Sequence, residues 1–152
     1  MAKKDKLEVL LWSIALPGVG QLLNSKYVKG VLFLFFEFLI NVKARLNMAI
    51  ILSFQGQTQQ AIMETDYQWL LFYPCVYMFA MWDAYRDAGG RDTPYSFLPF
   101  VFAAYVGTIG VVYSSVFHLS GVYIGPIFLP IISLCIGAAL GILVRYILFQ
   151  RA

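Results

Sequence analysis

Residues 93–144 read TPYSFLPFVFAAYVGTIGVVYSSVFHLSGVYIGPIFLPIISLCIGAALGILV, a stretch without Asp, Glu, Lys or Arg. A helix needs about 20 apolar residues to cross a bilayer, so this stretch is long enough to cross twice. The bilayer core offers the backbone no hydrogen-bond partners, which makes helices the default spanning structure. Porin-like barrels would instead show short alternating strands. The stretch therefore predicts two transmembrane helices, at about 96–117 and 123–148.

The composition of the whole chain agrees with this prediction. Of its 152 residues, 61% are hydrophobic and 12% are charged, whereas soluble domains carry about 25% charged residues. The chain is long enough for one domain. We predict an all-α fold in which residues 1–152 form a single polytopic transmembrane helical bundle.

Three further apolar segments precede the charge-free stretch, at residues 7–23, 28–54 and 67–85. Pro17, Gly18 and Gly20 break the first of them, because proline removes a backbone donor and glycine loosens a helix. This helix break predicts that the first segment either enters the membrane and returns or crosses it as an additional span.

The positions of Lys and Arg favour the first alternative, because cytoplasmic loops collect these residues. If segment 7–23 is re-entrant, every terminal or loop region that carries them lies on the cytoplasmic side. These regions are the N-terminal Lys3, Lys4 and Lys6, the connector 26–29, the loop 86–91 and the tail at Arg151. We expect four spans plus a re-entrant N-terminal segment in the cell (cytoplasmic) membrane, with a cytoplasmic C-terminus. Five full spans are the alternative.

A polar stripe interrupts the second segment, where Glu37, Asn41 and Arg45 recur every four residues. Residues at this spacing share one helix face. Charges inside a membrane are costly and usually face a bundle interior or a water-filled cavity. The stripe therefore predicts either the lining of a polar pathway or a polar clamp between helices.

Charged residues also close the third segment, where Trp82 is followed by Asp83, Arg86 and Asp87. Asp83 and Asp87 share one helix face, and Asp83 lies three residues from Arg86. Interleaved charges at a bilayer edge predict a face that docks a partner. A solvated helix end is the alternative.

Small residues recur every four positions in the last span, at Ser133, Gly137 and Gly141. Such residues let helix backbones approach closely in lipid. We expect this stripe to pack within the bundle, with Ala103 and Gly107 doing the same in the preceding span. A dimer face is the alternative.

Residues typical of enzymes and metal sites are scarce. Cys75 and Cys135 lie alone inside apolar blocks, and His118 is the only histidine. The chain has no glycine-rich phosphate loop and no candidate Ser-His-Asp set. We predict no catalytic residues, no metal site and no cofactor. The net charge of +3 is not concentrated enough to predict nucleic-acid binding.

Residues 16–30, LPGVGQLLNSKYVKG, resemble the TM-two domain family of small bacterial membrane proteins. The pattern of that family is an apolar helix, a glycine-rich break, an aromatic-x-Gly turn and a second apolar helix. The matching residues are Pro17, Gly18, Gly20, Gln21 and Gly30, and Asp83 after Trp82 is similar to the acidic residue that such domains carry late. Leu23 and Ser25 replace a usual Tyr and Gly. The resemblance covers the first half of the chain and implies a bacterial cytoplasmic-membrane protein without enzymatic activity.

These observations predict a non-enzymatic accessory or scaffolding subunit of a membrane complex. Its expected partners are the lipid bilayer and either another membrane protein or a second copy of the chain. The alternative is a small homo-oligomeric ion or solute transporter or channel that uses Glu37 and Arg45. An enzyme acting on lipid is a third hypothesis.

Overall fold

The computed structural model describes residues 5–90 and 94–150, and most of these residues are helical. The predicted all-α class is confirmed at this level, with one short β-hairpin added. Four of the cations on which the predicted orientation depends, Lys3, Lys4, Arg91 and Arg151, lie outside the described residues. The elements are α1 (Lys6–Ala15), α2 (Val19–Leu23), α3 (Tyr27–Ala44), α4 (Leu46–Phe54), α5 (Thr58–Glu64), α6 (Tyr67–Leu70), α7 (Tyr73–Asp87), α8 (Leu98–Tyr113), β1 (His118–Leu119), β2 (Val122–Tyr123) and α9 (Gly125–Gln150).

Within the described ranges, α9 is the one helix that is long and apolar enough to cross a membrane by itself. Helix α8 is apolar but shorter. Helix α3 has the length but carries three charged residues, Lys29, Glu37 and Lys43. The polytopic bundle therefore stays a prediction, whereas one potential membrane-spanning helix is a property of the structure.

Two predicted segments are each divided into two helices. Arg45 takes a left-handed conformation, with φ at 55°, and separates α3 from α4 within segment 28–54. Helix α6 ends at Leu70 and α7 begins at Tyr73 within segment 67–85. Pro74, at the start of α7, has no backbone N–H to donate, so the chain loses one helical hydrogen bond near this second interruption.

The N-terminal segment folds into a helical hairpin against α7. The side chain of Asp5 caps α1 by accepting a hydrogen bond from the backbone N–H of Leu7 at 3.0 Å. Further along α1, Val9 packs with Ala84, and the carbonyl of Ile14 accepts a hydrogen bond from the hydroxyl of Tyr77. The chain then reverses at Pro17 and Gly18. Helix α2 consequently runs back along α7, toward the end of α7 that lies beside the start of α1.

Gly18 makes this reversal and its packing feasible. Its φ of 103° is strained for any residue with a side chain. A Cβ at this position would also lie 2.6 Å from the carbonyl oxygen of Gly30 in α3. The hairpin can therefore rest directly on the first turn of α3 because neither backbone carries a side chain at the contact.

Helices α8 and α9 pack antiparallel along the small-residue stripe. Ser133 lies against Gly110, since a Cβ on that glycine would come within 2.6 Å of the serine Cβ. Gly137 lies against Ala103, and Gly141 lies against Pro99 in the same way. The predicted stripe thus faces α8 of the same chain, where the close approach of the two backbones excludes larger side chains.

Helix α4 connects the far end of α3 to the beginning of α9. It starts directly after Arg45, and Phe54 at its end contacts Phe128 of α9, with ring centroids 5.2 Å apart. Helix α5 then places Thr58 against Gly125, the first residue of α9. The first turns of α5 and α9 therefore lie at the same end of the molecule.

Candidate functional site

A cluster of six polar side chains joins the N-terminal hairpin and α3 to the last turns of α7. We call it the polar cluster. The hairpin and its connector contribute two amides, α3 contributes one lysine, and α7 contributes two carboxylates and one guanidinium. Its members are Gln21, Asn24, Lys29, Asp83, Arg86 and Asp87.

Asp83 lies at the centre of the polar cluster and is 3% exposed. Its Oδ1 accepts hydrogen bonds from Lys29 Nζ at 2.8 Å and from Arg86 Nη2 at 2.6 Å. Its Oδ2 accepts from Gln21 Nε2 at 3.3 Å. Such charge-assisted hydrogen bonds are about twice as strong as neutral ones, and they compensate for the removal of the carboxylate from water.

Lys29 bridges both acidic residues of α7. Its Nζ lies 2.8 Å from Asp83 Oδ1 and 2.9 Å from Asp87 Oδ2. The two cations Lys29 and Arg86 balance the two anions of the cluster, so these four residues carry no net charge. Neutrality matters here because an uncompensated buried charge is strongly destabilising.

Two amide side chains attach the hairpin to the backbone of α7. Gln21 Nε2 donates to the carbonyl oxygen of Ala80 at 2.7 Å, and Asn24 Nδ2 donates to that of Ala84 at 2.8 Å. Gln21 is fully buried, and its Oε1 has no hydrogen-bond partner among the described residues. The amide of Gln21 thus bonds α7 through its nitrogen but leaves its buried oxygen unpaired, and an unpaired buried acceptor lowers stability.

The predicted docking face at the end of α7 is thus largely engaged inside the chain. Asp83 is buried beneath Lys29 and Gln21 and offers no carboxylate to a partner. Arg86 and Asp87 remain at the edge, with side chains 29% and 16% exposed. Any surface that docks a partner here consists of the rim of the polar cluster and not of its centre.

The stripe Glu37, Asn41 and Arg45 does not form a connected polar path, because each residue contacts a different partner. Asn41 Nδ2 donates to Asn47 Oδ1 at 3.2 Å, across the break between α3 and α4. Arg45 Nη1 lies 2.7 Å from Glu64 Oε2, in an ion pair whose side chains are 63% and 46% exposed. These two contacts link α3 to α4 and α5. This geometry corresponds to a polar clamp between helices.

Glu37 contacts a tyrosine that the sequence analysis did not single out. The hydroxyl of Tyr73 donates to Glu37 Oε1 at 3.1 Å. The ring of Tyr73 stacks on that of Tyr77 at a centroid distance of 5.4 Å, and Tyr77 donates to the carbonyl of Ile14. The spacing of four between the two tyrosines is the sequence signal that could have identified this connection between α3, α7 and α1.

The arrangement of these groups is suited to holding helices together. Among residues 5–90 and 94–150 there is no group of three or more His, Cys, Asp or Glu side chains that could hold a metal ion. Cys75 and Cys135 are both free thiols. The polar cluster offers ion pairs and amide hydrogen bonds, whose direct consequence is to fix the hairpin and α3 against α7.

Sequence reasoning recognised most members of the polar cluster separately but not their association. Gln21 lies in the family-like stretch, Lys29 lies in the basic connector, and Asp83, Arg86 and Asp87 form the predicted docking face. Pairings across about 60 residues leave no local signal.

Comparison with known proteins adds no assignment, since no protein-family model, no curated protein and no solved structure matches the chain.

Proposed function

We propose that this chain is a multi-pass integral membrane protein that serves as a non-enzymatic accessory or scaffolding subunit of a membrane complex. The observation that carries the proposal is the distribution of its surface residues: large apolar side chains cover the sides of the helices. Phe38 of α3, Tyr105 of α8 and Ile142 of α9 are all exposed. Soluble monomers rarely expose large contiguous apolar patches, so lipid is the solvent that suits this surface.

Ion pairs at two opposite ends of α3 support the membrane placement. Lys29, in its first turn, belongs to the polar cluster, and Arg45, directly after its last residue, pairs with Glu64. The two residues are sixteen positions apart, which corresponds to about 24 Å of helix. This separation approaches the hydrocarbon thickness of about 30 Å.

The proposed topology has the polar cluster on the cytoplasmic side and α5 on the outer side. The hairpin then enters the membrane beside α7 and returns. This path is supported by two contacts along α7, that of Ile14 with Tyr77 and that of Asn24 with Ala84. Its irregular turn at Pro17 and Gly18 is buried against protein, which is the condition under which such backbone is tolerated at membrane depth. The resemblance of residues 16–30 to the TM-two domain family belongs to the same proposal.

Two features support the accessory role: the polar contacts made within the chain and the short connections between its helices. Most of the polar groups described above bond to other side chains or to the backbone of this chain, and the connections between the described helices are short, so residues 5–90 and 94–150 offer little material for a soluble catalytic domain. A subunit of this kind acts by presenting helix faces to other membrane proteins. The exposed rim of the polar cluster, at Arg86 and Asp87, is the polar part of that surface.

Thiol labelling in intact cells tests the topology. Lys26→Cys and Gln57→Cys are made separately in a background where Cys75 and Cys135 are Ala. Both positions are exposed and directly precede a helix, α3 and α5 respectively. An impermeant maleimide added outside should label Gln57→Cys at once and Lys26→Cys only after the membrane is permeabilised. Equal labelling of both variants before permeabilisation, or release of the protein by alkaline carbonate, would refute the topology.

Purification in mild detergent from native membranes tests the accessory role. A different protein in fixed stoichiometry should accompany the wild type. Arg86→Gln should lower its recovery several-fold, whereas Arg45→Gln, the same substitution at the opposite end, should leave it unchanged. Full recovery with Arg86→Gln would exclude this rim as the docking surface. A complex that contains only copies of this chain would favour the transporter hypothesis instead.

A further inference from the structure

A large, half-open apolar cavity lies between the helices, separate from the polar cluster. Its volume is about 530 Å³. Helices α4, α7, α8 and α9 supply most of its walls, and Ile14 of α1 contributes at one side. Along α9 the lining extends from Pro126 to Ala138. Ligand-binding pockets in proteins typically have volumes of about 300–1,000 Å³.

The shape of the cavity limits what can occupy it. Pro126 and Ala138 are twelve positions apart, which corresponds to about 18 Å of helix. The volume of about 530 Å³ is the space open to the centres of water molecules. Spread over that length and widened by the water radius of about 1.4 Å on each side, it gives a mean width of about 9 Å. An α-helix with side chains is about 10–12 Å across and does not fit. A hydrocarbon chain, whose carbons contact their neighbours at about 4 Å, does.

The chemistry of the walls points to the same class of ligand. Tyr73 and Tyr77 supply the hydroxyl groups among the lining residues. Both donate elsewhere, to Glu37 and to the carbonyl of Ile14 respectively. A water molecule needs two to four polar partners to be held in a cavity, and a polar headgroup needs as many. The part of a ligand that enters must therefore be apolar along its whole length.

We propose that this cavity binds one acyl chain of a membrane phospholipid, with the headgroup remaining outside. The inference rests on the proposed membrane placement, because the bilayer is the source of the lipid, and it does not depend on the accessory role. Burial of an acyl chain among apolar walls is favourable when it replaces an empty cavity, since the lining side chains regain dispersion contacts.

Two neighbouring isoleucines in α9 provide a matched test. Ile131 lines the cavity and Ile132 does not, yet their exposed fractions are 49% and 48%. Tryptophan at position 131 fills part of the cavity, whereas tryptophan at position 132 lies on the outer surface. The delipidated full chain is titrated in detergent with dioleoyl phosphatidylglycerol, and bound lipid is counted by native mass spectrometry.

The wild type and Ile132→Trp should each bind one tightly held lipid per chain, and Ile131→Trp should bind it at least ten-fold more weakly. Equal affinity in the two variants, or no tightly held lipid in the wild type, would overturn the proposal. Should Ile131→Trp fail to fold, Ile50→Trp and Ile51→Trp give the same comparison in α4, because Ile50 lines the cavity and Ile51 does not.

The two free cysteines supply a second readout in the same samples. Cys135 lines the cavity, and Cys75 does not. Bound lipid should slow the reaction of Cys135 with a small apolar thiol reagent several-fold and leave Cys75 unaffected. Equal slowing of both thiols would indicate general detergent effects and refute the site. Because these measurements use purified protein, their failure is distinguishable from a failure of the topology, which is measured in cells.

Discussion

Lys29 Nζ lies 2.8 Å from Asp83 Oδ1, so a lysine in the first turn of α3 neutralises a buried carboxylate near the end of α7. The two residues are 54 positions apart in the chain. Asp87 and Arg86 complete the set of charges. The pair, together with the N-terminal hairpin, therefore holds the beginning of α3 beside the end of α7.

Asp83→Asn should strongly destabilise the protein. The substitution leaves the cations Lys29 and Arg86 with one carboxylate fewer in a largely buried site, and breaking a buried ion pair on one side costs about 3–5 kcal/mol. We expect a loss near the lower limit, because the side chain of Lys29 is 40% exposed. Reversible unfolding in mixed micelles measures the free energy.

Glu64→Gln is the control for this first prediction. It removes an ion pair with Arg45 that is exposed on both sides, and exposed pairs contribute about 0–1 kcal/mol. Similar losses for Asp83→Asn and Glu64→Gln would contradict the central role assigned to the polar cluster.

Gly18→Ala should prevent the hairpin from packing against α3. The new Cβ would meet the carbonyl oxygen of Gly30, in addition to the strain of a positive φ. Gly56→Ala has a positive φ as well, but a Cβ there meets nothing within 4 Å. Gly56→Ala should therefore cost only about 1–2 kcal/mol, the price of a left-handed alanine. A loss for Gly18→Ala no larger than that for Gly56→Ala would argue against the close contact.

Gly137→Ala should destabilise α9 although alanine is the better helix former by about 1 kcal/mol. A Cβ at this position would lie 2.5 Å from the carbonyl oxygen of Phe102, and overpacking of this kind costs about 1–3 kcal/mol. Ala139→Gly, on the exposed face of the same helix, measures the propensity effect alone. A gain in stability for Gly137→Ala would mean that α8 and α9 are not in close contact there.

Tyr73→Phe should weaken the link between α7 and α3. It removes the hydroxyl that donates to Glu37 Oε1 in a partly buried hydrogen bond, and leaving a buried acceptor without its donor costs about 1–3 kcal/mol, so we expect a loss near the lower limit. Tyr105→Phe, at a tyrosine that is 70% exposed, should change the unfolding free energy little. Equal effects of the two substitutions would show that Glu37 does not depend on Tyr73.

The sequence was most informative where apolar residues run without interruption. The segments predicted at 96–117 and 123–148 correspond to α8 (Leu98–Tyr113) and α9 (Gly125–Gln150). Hydrophobicity over such lengths dictates a helix almost regardless of other contacts. The spacing of Ser133, Gly137 and Gly141 likewise predicted a packing stripe, because small residues at that interval leave a groove for a neighbouring backbone.

The sequence was least informative about chain reversals and distant pairs. The left-handed conformation at position 45 is adopted by an arginine and not by glycine or asparagine, the residue types that usually indicate it. The division of segment 28–54 could therefore not be foreseen from the sequence. The contact between Gln21 and Asp83 depends on how two helices meet, and no spacing along the chain encodes it. Polar residues in an apolar segment signalled that partners exist, without saying which.

The attachment of the hairpin also imposes an order on biosynthesis. Gln21 and Asn24 find their partners at Ala80 and Ala84, about 60 residues later in the chain. A ribosome needs roughly 3–12 s for that length at about 5–20 residues per second, whereas a helix forms within about a microsecond. The hairpin is thus made early and docked late, and during those seconds its two amides must be satisfied by water, by lipid headgroups or by another protein.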